Sequence, residues 1–248
     1  CHSTGTKAHT ENLDNYFNAF ASIYEGRYLA GIAAGMKLNE MIDQGKITAD
    51  EAIIGYVGAY PYAEVVTGYT SFFLGARSVC PSATMKVRYT SSWYDYDKEK
   101  AAAEALIDVD NCVIISQHAD SYGAPEACES KNVPNVTYNG TTVAKCPNTY
   151  VVSSKIDWAP YYEKMISAVM NGQKVLEKDY TGTLETGSVK LDDVGTCAAE
   201  GTQAAIDAAR AQLIAGTLHV FYTSKFTVGG ATLTTYKADV NTDPAFQG

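Results

Sequence analysis

Two short stretches carry the residues of this chain best suited to chemistry. "SSWYDYD" (91–97) supplies Trp93, Tyr94 and Asp95, and "SQHADS" (116–121) supplies His118, Asp120 and Ser121. Each follows an apolar run that reads as a buried strand, so both groups are expected at strand ends. Ser116, His118 and Asp120 have the residue types of a hydrolytic triad but not its spacing. Residues two apart on an extended strand are separated by roughly 6.5 Å with parallel side chains, whereas a nucleophile and its base need hydrogen-bond reach, roughly 2.6–3.2 Å. The sequence has no Gly-x-Ser-x-Gly elbow, phosphate-cradling glycine loop or His-Glu-x-x-His helix. Its four histidines, at 2, 9, 118 and 219, show no metal-ligand spacing. No cofactor and no metal are expected, and no enzyme.

Binding suits these residues better. A tryptophan face is a flat apolar platform, and stacking a heterocyclic base on an aromatic ring contributes roughly 1–3 kcal/mol. A carboxylate accepting from a ring N–H or exocyclic amine adds selectivity, because an analogue without the donor leaves it unpaired. Taken singly, Trp93 could equally be a core residue and His118 a satisfied core histidine. Their joint occurrence at neighbouring strand ends favours a site in which Trp93 stacks, Asp120 accepts, and His118 and Ser121 shape the pocket.

The elements that must position them alternate. Residues 12–44 read as helical, with Tyr28, Ile32, Met36 and Met41 at near-helical spacing and small residues (Ala30, Gly31, Ala33, Ala34, Gly35) suited to lying close against a sheet. "AIIGYVGAY" (52–60) is a continuous apolar run, as expected of a buried parallel strand. Then follow a helix in "AEVVTGYTSFFLGARSV", a strand in "MKVRYTSSW", an alanine-rich helix, the strand "CVIISQ", a short helix, and the strands "NVTYN" and "TYVVSSKI". "APYYEKMISAVMNGQ" is a further helix, 200–215 another, and a polar tail begins near Phe226. Strand–helix alternation with short connections predicts a parallel sheet covered on both faces. Ligands of such sheets bind beyond the carboxyl ends of the strands, which puts Tyr60, Trp93, His118, Asp120, Ser121 and Asn139 on one rim. Trp158, at the start of a helix, is expected either to close the other side or to serve packing.

Composition narrows the classes. With 248 residues, 46% hydrophobic and 19% charged, the chain has room for a substantial core. A net charge of −9 argues against nucleic acid as a partner, and the longest apolar stretch is too short and glycine-rich to span a bilayer. Six scattered cysteines form no Cys-x-x-Cys pair; Cys112 reads as a buried thiol, and pairing of Cys128 with Cys146 is left open.

In this order, "YEGRYLAGIAAGMKL", "IIGYVGAYPYAEVVTGYTSFFLGARSVCP", "SSWYDYDKEKAAAEALID", "SQHADSYGAPEACE", "IDWAPYYEKMISAVMNGQ" and "AQLIAGTLHVF" resemble the basic membrane protein family of purine-binding lipoproteins, which serve bacterial ATP-binding-cassette importers. The resemblance implies a class I periplasmic-binding-protein fold, in which two α/β lobes close on a purine base or nucleoside. Trp93, the "QHADS" stretch and Trp158 look most like a subgroup associated with free adenine-like bases. Nucleoside-binding members tend to have an Asp where Asn139 stands, and their lysine falls one position from Lys155, so a base or another small planar ligand is favoured over a ribose-bearing one. "CHSTG", with His2, resembles an interior strand end of the first lobe; its alternative reading is a lipidated Cys1 followed by a polar tether. The first reading carries the expectation that a leading segment of the first lobe precedes this chain.

The expected lobes are 48–150 for the second and 1–47 with 151–248 for the first, hinged near 47 and 145–155. The expected function is extracytoplasmic capture of a purine base or nucleoside, adenine-like, for an ABC importer. The partner would be its permease, and any membrane attachment would run through a lipid anchor. A ligand sensor of the same fold, coupled to a signalling partner, and an enzyme acting on a nucleobase or nucleoside are the alternatives.

Overall fold

The structure, a computed structural model, describes residues 1–5, 7–174 and 177–232. In chain order the elements are β1 (His2–Ser3), α1 (Lys7–Glu11), β2 (Phe17–Ala21), α2 (Ile23–Asp43), β3 (Ile53–Gly58), α3 (Ala63–Val79), β4 (Thr84–Tyr89) and α4 (Tyr96–Asp108). They continue with β5 (Ile114–His118), α5 (Gly123–Lys131), β6 (Asn135–Tyr138), β7 (Tyr150–Ile156), α6 (Ala159–Met170), β8 (Asp179–Gly182), β9 (Val189–Leu191) and α7 (Thr202–Ile214). Most of the polar tail expected from Phe226 lies outside the described residues.

A larger sheet runs in the order β4-β3-β5-β6-β7-β9, parallel except for β9, which returns antiparallel to β7. A smaller parallel sheet has the order β1-β2-β8. β3 and β5 are near-continuously buried, as apolar strands covered on both faces must be. One face of the larger sheet is covered by α2 and α3 over the main core, which includes Leu29, Ile54, Phe72, Ile114 and Val152. The opposite face carries α4 and α5 over a smaller cluster of Val57, Leu106, Ile115 and Ala127.

Three expectations change here. Residues 17–21 form a strand instead of helix, because "FNAFA" pairs on both edges with β1 and β8. The small residues of α2 do not all face a sheet. A Cβ on Gly31 would collide with the Phe72 carbonyl, and one on Gly35 with that of Ala76, so their face packs onto the backbone of α3; Gly26 looks the other way, toward Ser154 and Val189. The lobe boundaries move as a consequence. Sheet pairing and this helix contact put α2, β7 and β9 with the larger sheet, together with α7 on α2, whereas the expectation put 1–47 and 151–248 in the other lobe. The smaller sheet draws only on 1–21 and 179–182, with α6 packed against β8. The chain therefore passes between the sheets near Ser22, at 157–158 and at 183–188.

At the centre of the larger unit Arg27 is completely buried. Its guanidinium donates to the Thr137 carbonyl (3.1 Å), Ser154 Oγ (3.2 Å) and Ser116 Oγ (2.5 Å), and lies over the rings of Phe72, Tyr56 and Tyr138. Among the described residues no carboxylate pairs with it. Hydroxyls, a carbonyl and ring faces take the place of a counter-ion, and they tie α2 to β5, β6 and β7 beneath the strand ends. Such burial of a charge is tolerated only with hydrogen bonds of this kind.

Candidate functional site at the strand ends

Because β3, β4, β5 and β6 are parallel, their carboxyl ends share one edge, and the segments that follow them meet there. After β3, Tyr60 and Tyr62 flank Pro61 with their rings stacked, 4.9 Å between centroids and 10° between planes. After β4 the chain turns through Ser91, whose φ is 55°, so Trp93 sits in a loop beyond the strand rather than within it. Its indole lies 5.5 Å from the Tyr60 ring and 6.3 Å from that of Tyr62. Trp93 is 37% exposed, which makes this trio a wet aromatic surface and not core.

The loop after β5 is joined to the Trp93 loop, since the Asp120 N–H donates to the Trp93 carbonyl at 2.9 Å. Asp120 as a residue is exposed, yet burial of its carboxyl raises its pKa above the ordinary aspartate value. The nearby Glu64 charge pushes in the same direction, while His118 and a hydrogen bond from the Asn139 side chain oppose it. Asn139 itself is exposed, in the left-handed region at φ 65°, a conformation asparagine adopts more readily than most residues. Its N–H donates to the Ser154 carbonyl, fixing the end of β6 against β7.

His118 and Ser121 depart from expectation. The imidazole is 1% exposed, held between the Tyr138 ring (centroids 4.3 Å apart) and Gly68, where a Cβ would come within 2.5 Å of Nδ1. Burial lowers its pKa, although its hydrogen bond to Glu64 works the other way. His118 is thus a buried ring behind the edge, reaching it through Glu64 and Tyr138. Ser121 is also buried. Its N–H donates to the Glu99 carboxylate and its Oγ accepts from the Gly123 N–H, so it joins α4 to α5. Ser116 donates to the Val136 carbonyl and accepts from Arg27, leaving it no part in a triad.

Glu64, which the sequence reading passed over, stands in the first turn of α3, two residues after Tyr62. Its Oε1 accepts from His118 Nε2–H at 3.4 Å, and its side chain remains 32% exposed. A carboxylate just past a Pro-containing aromatic turn at a strand end was the available signal.

Trp158 and His2 form a second group, along the smaller sheet. The His2 ring lies 5.6 Å from Trp158, 5.1 Å from Tyr161 and 5.5 Å from Tyr162. Lys155 is spoken for by Asp192. A cavity of about 200 Å³ lies elsewhere, lined by Tyr24, Leu184, Leu213 and His219 among others. All six cysteines are free, Cys128 and Cys146 included. Among the described residues no cluster of side chains could hold a metal ion, and no helix is long and apolar enough to cross a membrane.

A family model described as ABC transporter substrate-binding protein, PnrA-like, matches residues 4–220. The chain is 33% identical over 225 residues to a candidate ABC transporter glucose-binding protein of Haloferax volcanii, covering 91% of this chain and 53% of that protein. It is 35% identical over 190 residues to a purine-binding protein of Brucella abortus, covering 77% and 49% respectively. The chain therefore spans about half the length of these curated relatives. An ABC transporter solute-binding protein from Conexibacter woesei has the same fold, with a TM-score of 0.66 at 20% identity over 89% of this chain and 72% of that one. The expected class I periplasmic-binding-protein architecture stands, and the family model and the names of the two curated relatives above describe substrate-binding proteins.

Proposed function

The chain belongs to the PnrA-like family of ABC transporter substrate-binding proteins, and from that premise we propose that it captures a free purine base outside the cytoplasm and hands it to a membrane permease. The observation that carries this reading is the juxtaposition of the Tyr60–Tyr62–Trp93 surface with the Asp120 carboxyl, hydrogen-bonded through backbone to Trp93 itself. A planar base would stack on the indole while Asp120 accepts from a donor on its edge. Asn139, in place of a second carboxylate at the end of β6, leaves a ribose without the acceptor pair its hydroxyls would use. The purine-binding name of the Brucella relative agrees with this choice.

A second reading, a monosaccharide, draws on the name of the Haloferax relative; a sugar ring also stacks on indole and offers hydroxyl donors. Titration calorimetry with adenine, guanine, adenosine and glucose separates the two. The expected result is binding of a free base, weakened by roughly 1–3 kcal/mol in Trp93→Ala, with the melting temperature of the unliganded variant little changed because Trp93 is partly exposed. Binding of glucose with no response to any base would replace the purine reading by the sugar one.

A further inference from the structure

Resting on the reading of this edge as the ligand site, we infer that Glu64 determines which bases the site accepts, acting with Asp120 as a pair of carboxylates that reads hydrogen-bond donors. Glu64 follows the stacked Tyr60–Tyr62 pair directly, in the first turn of α3, so the helix start that places those rings also places its carboxylate. The buried His118 imidazole holds Oε1 from behind. Among the described residues no hydrogen bond occupies Oε2, and a third of the side chain is open to solvent. The two carboxyls also feel one another, for the Glu64 charge contributes to holding the Asp120 proton on.

An ionised carboxylate can only accept. Two of them beside an aromatic platform match a heterocycle carrying a ring N–H together with an exocyclic amine. They penalise one that presents a carbonyl at the amine's position, since lone pairs then face lone pairs. His118 is a positioning residue here. Locked between Tyr138 and Gly68, it fixes where the Glu64 carboxylate points without meeting the ligand.

Adenine and hypoxanthine differ at C6, an amine against an oxo oxygen, with N1 changing from an acceptor to an N–H donor alongside it, and they serve as the probes. Their affinities are compared by calorimetry in the wild-type protein and in Glu64→Gln, Glu64→Asp and Trp93→Ala. The wild type should prefer adenine by about tenfold or more, the penalty of an unmatched polar group in a closed site. Glu64→Gln should shrink that ratio to roughly threefold or less, because an amide can turn to donate to the oxo group. Glu64→Asp, which keeps the charge on a shorter stem, should give an intermediate ratio and covers the case in which the glutamine variant folds poorly. An unchanged ratio in these variants, or a wild type indifferent to the amine, overturns the assignment of Glu64 while a loss of affinity in Trp93→Ala leaves the site itself standing. If neither base binds, or Trp93→Ala alters neither affinity, the site reading fails and takes this inference with it.

Discussion

Asp120 combines a polar task with a crowded setting, and its titration gives the first prediction. Burial raises its pKa above the ordinary carboxylate value of about 3.9. The ionised form accepts from a ligand amine more strongly than the protonated one, which keeps a carbonyl acceptor but gains an O–H donor, so affinity should fall as pH drops toward that raised pKa, at a higher pH than an ordinary aspartate would produce. Calorimetry across the acid range should show this fall in the wild type and a flatter profile in Asp120→Asn; identical profiles would remove Asp120 from ligand contact. The stability effect has the opposite sign. A carboxyl whose folded pKa is raised is stabilising when protonated, and that contribution disappears as pH rises through the folded pKa. At neutral pH Asp120→Asn should therefore raise the melting temperature of the unliganded protein slightly. That Tyr60, Trp93, Asp120 and Asn139 stand on one edge was legible in the sequence because each follows an apolar run, and parallel runs end on one edge. The burial of His118 was not, for it depends on Gly68 presenting bare backbone from another element. The link of Glu64 to His118 was hidden for the same reason, since it spans 54 positions of the chain.

Helices α2 and α3 hold the strand ends in place by approaching backbone to backbone. Gly31 and Gly35 on α2 and Gly75 on α3 each stand where a Cβ would run into a carbonyl of the facing helix. Gly31→Ala should force the pair apart and cost about 1–3 kcal/mol, the usual penalty of overpacking, read as a lower melting temperature and denaturation midpoint. Gly5→Ala, where a Cβ meets nothing within 4 Å, should stay within about 0.5 kcal/mol of wild type. If both substitutions are silent, the interhelical contact is looser than these positions require. The existence of both helices could be read from periodicity, and α3 has the bounds expected of it. Which partner the small-residue face of α2 would choose could not, because a stripe of glycine and alanine suits a sheet and a helix equally. That ambiguity accounts for the placement of α2, while the pairing of β7 and β9 in the larger sheet accounts for the rest of the boundary change.

Two sheets, three crossings between them and an aromatic group beside each sheet give the molecule the layout of a clamp. Alternation of strands and helices announced the parallel sheet. The antiparallel return of β9 onto β7 was hidden in a short stretch with little pattern of its own. That return decides much of the architecture, because it carries the chain from the smaller sheet at Gly182 back to the larger one by 189. The third crossing is pinned where the Leu184 N–H donates to the Glu25 carboxylate at 2.8 Å, next to the first crossing at Ser22. Such short adjacent links would serve as a hinge if the sheets move, in the manner by which two-lobed binding proteins close on ligand. The Trp93 group on the larger unit and the His2–Trp158 group on the smaller would then meet the same molecule from opposite sides. Hydrogen exchange with saturating adenine tests this at the scale of the whole chain, since a ligand that bridges both groups lowers the opening of each. Exchange should slow at 60–64, 91–95 and 118–121 and also at 157–162. Protection confined to the first three segments would make Trp158 a packing residue and the site one-sided, with no closure needed to hold the base.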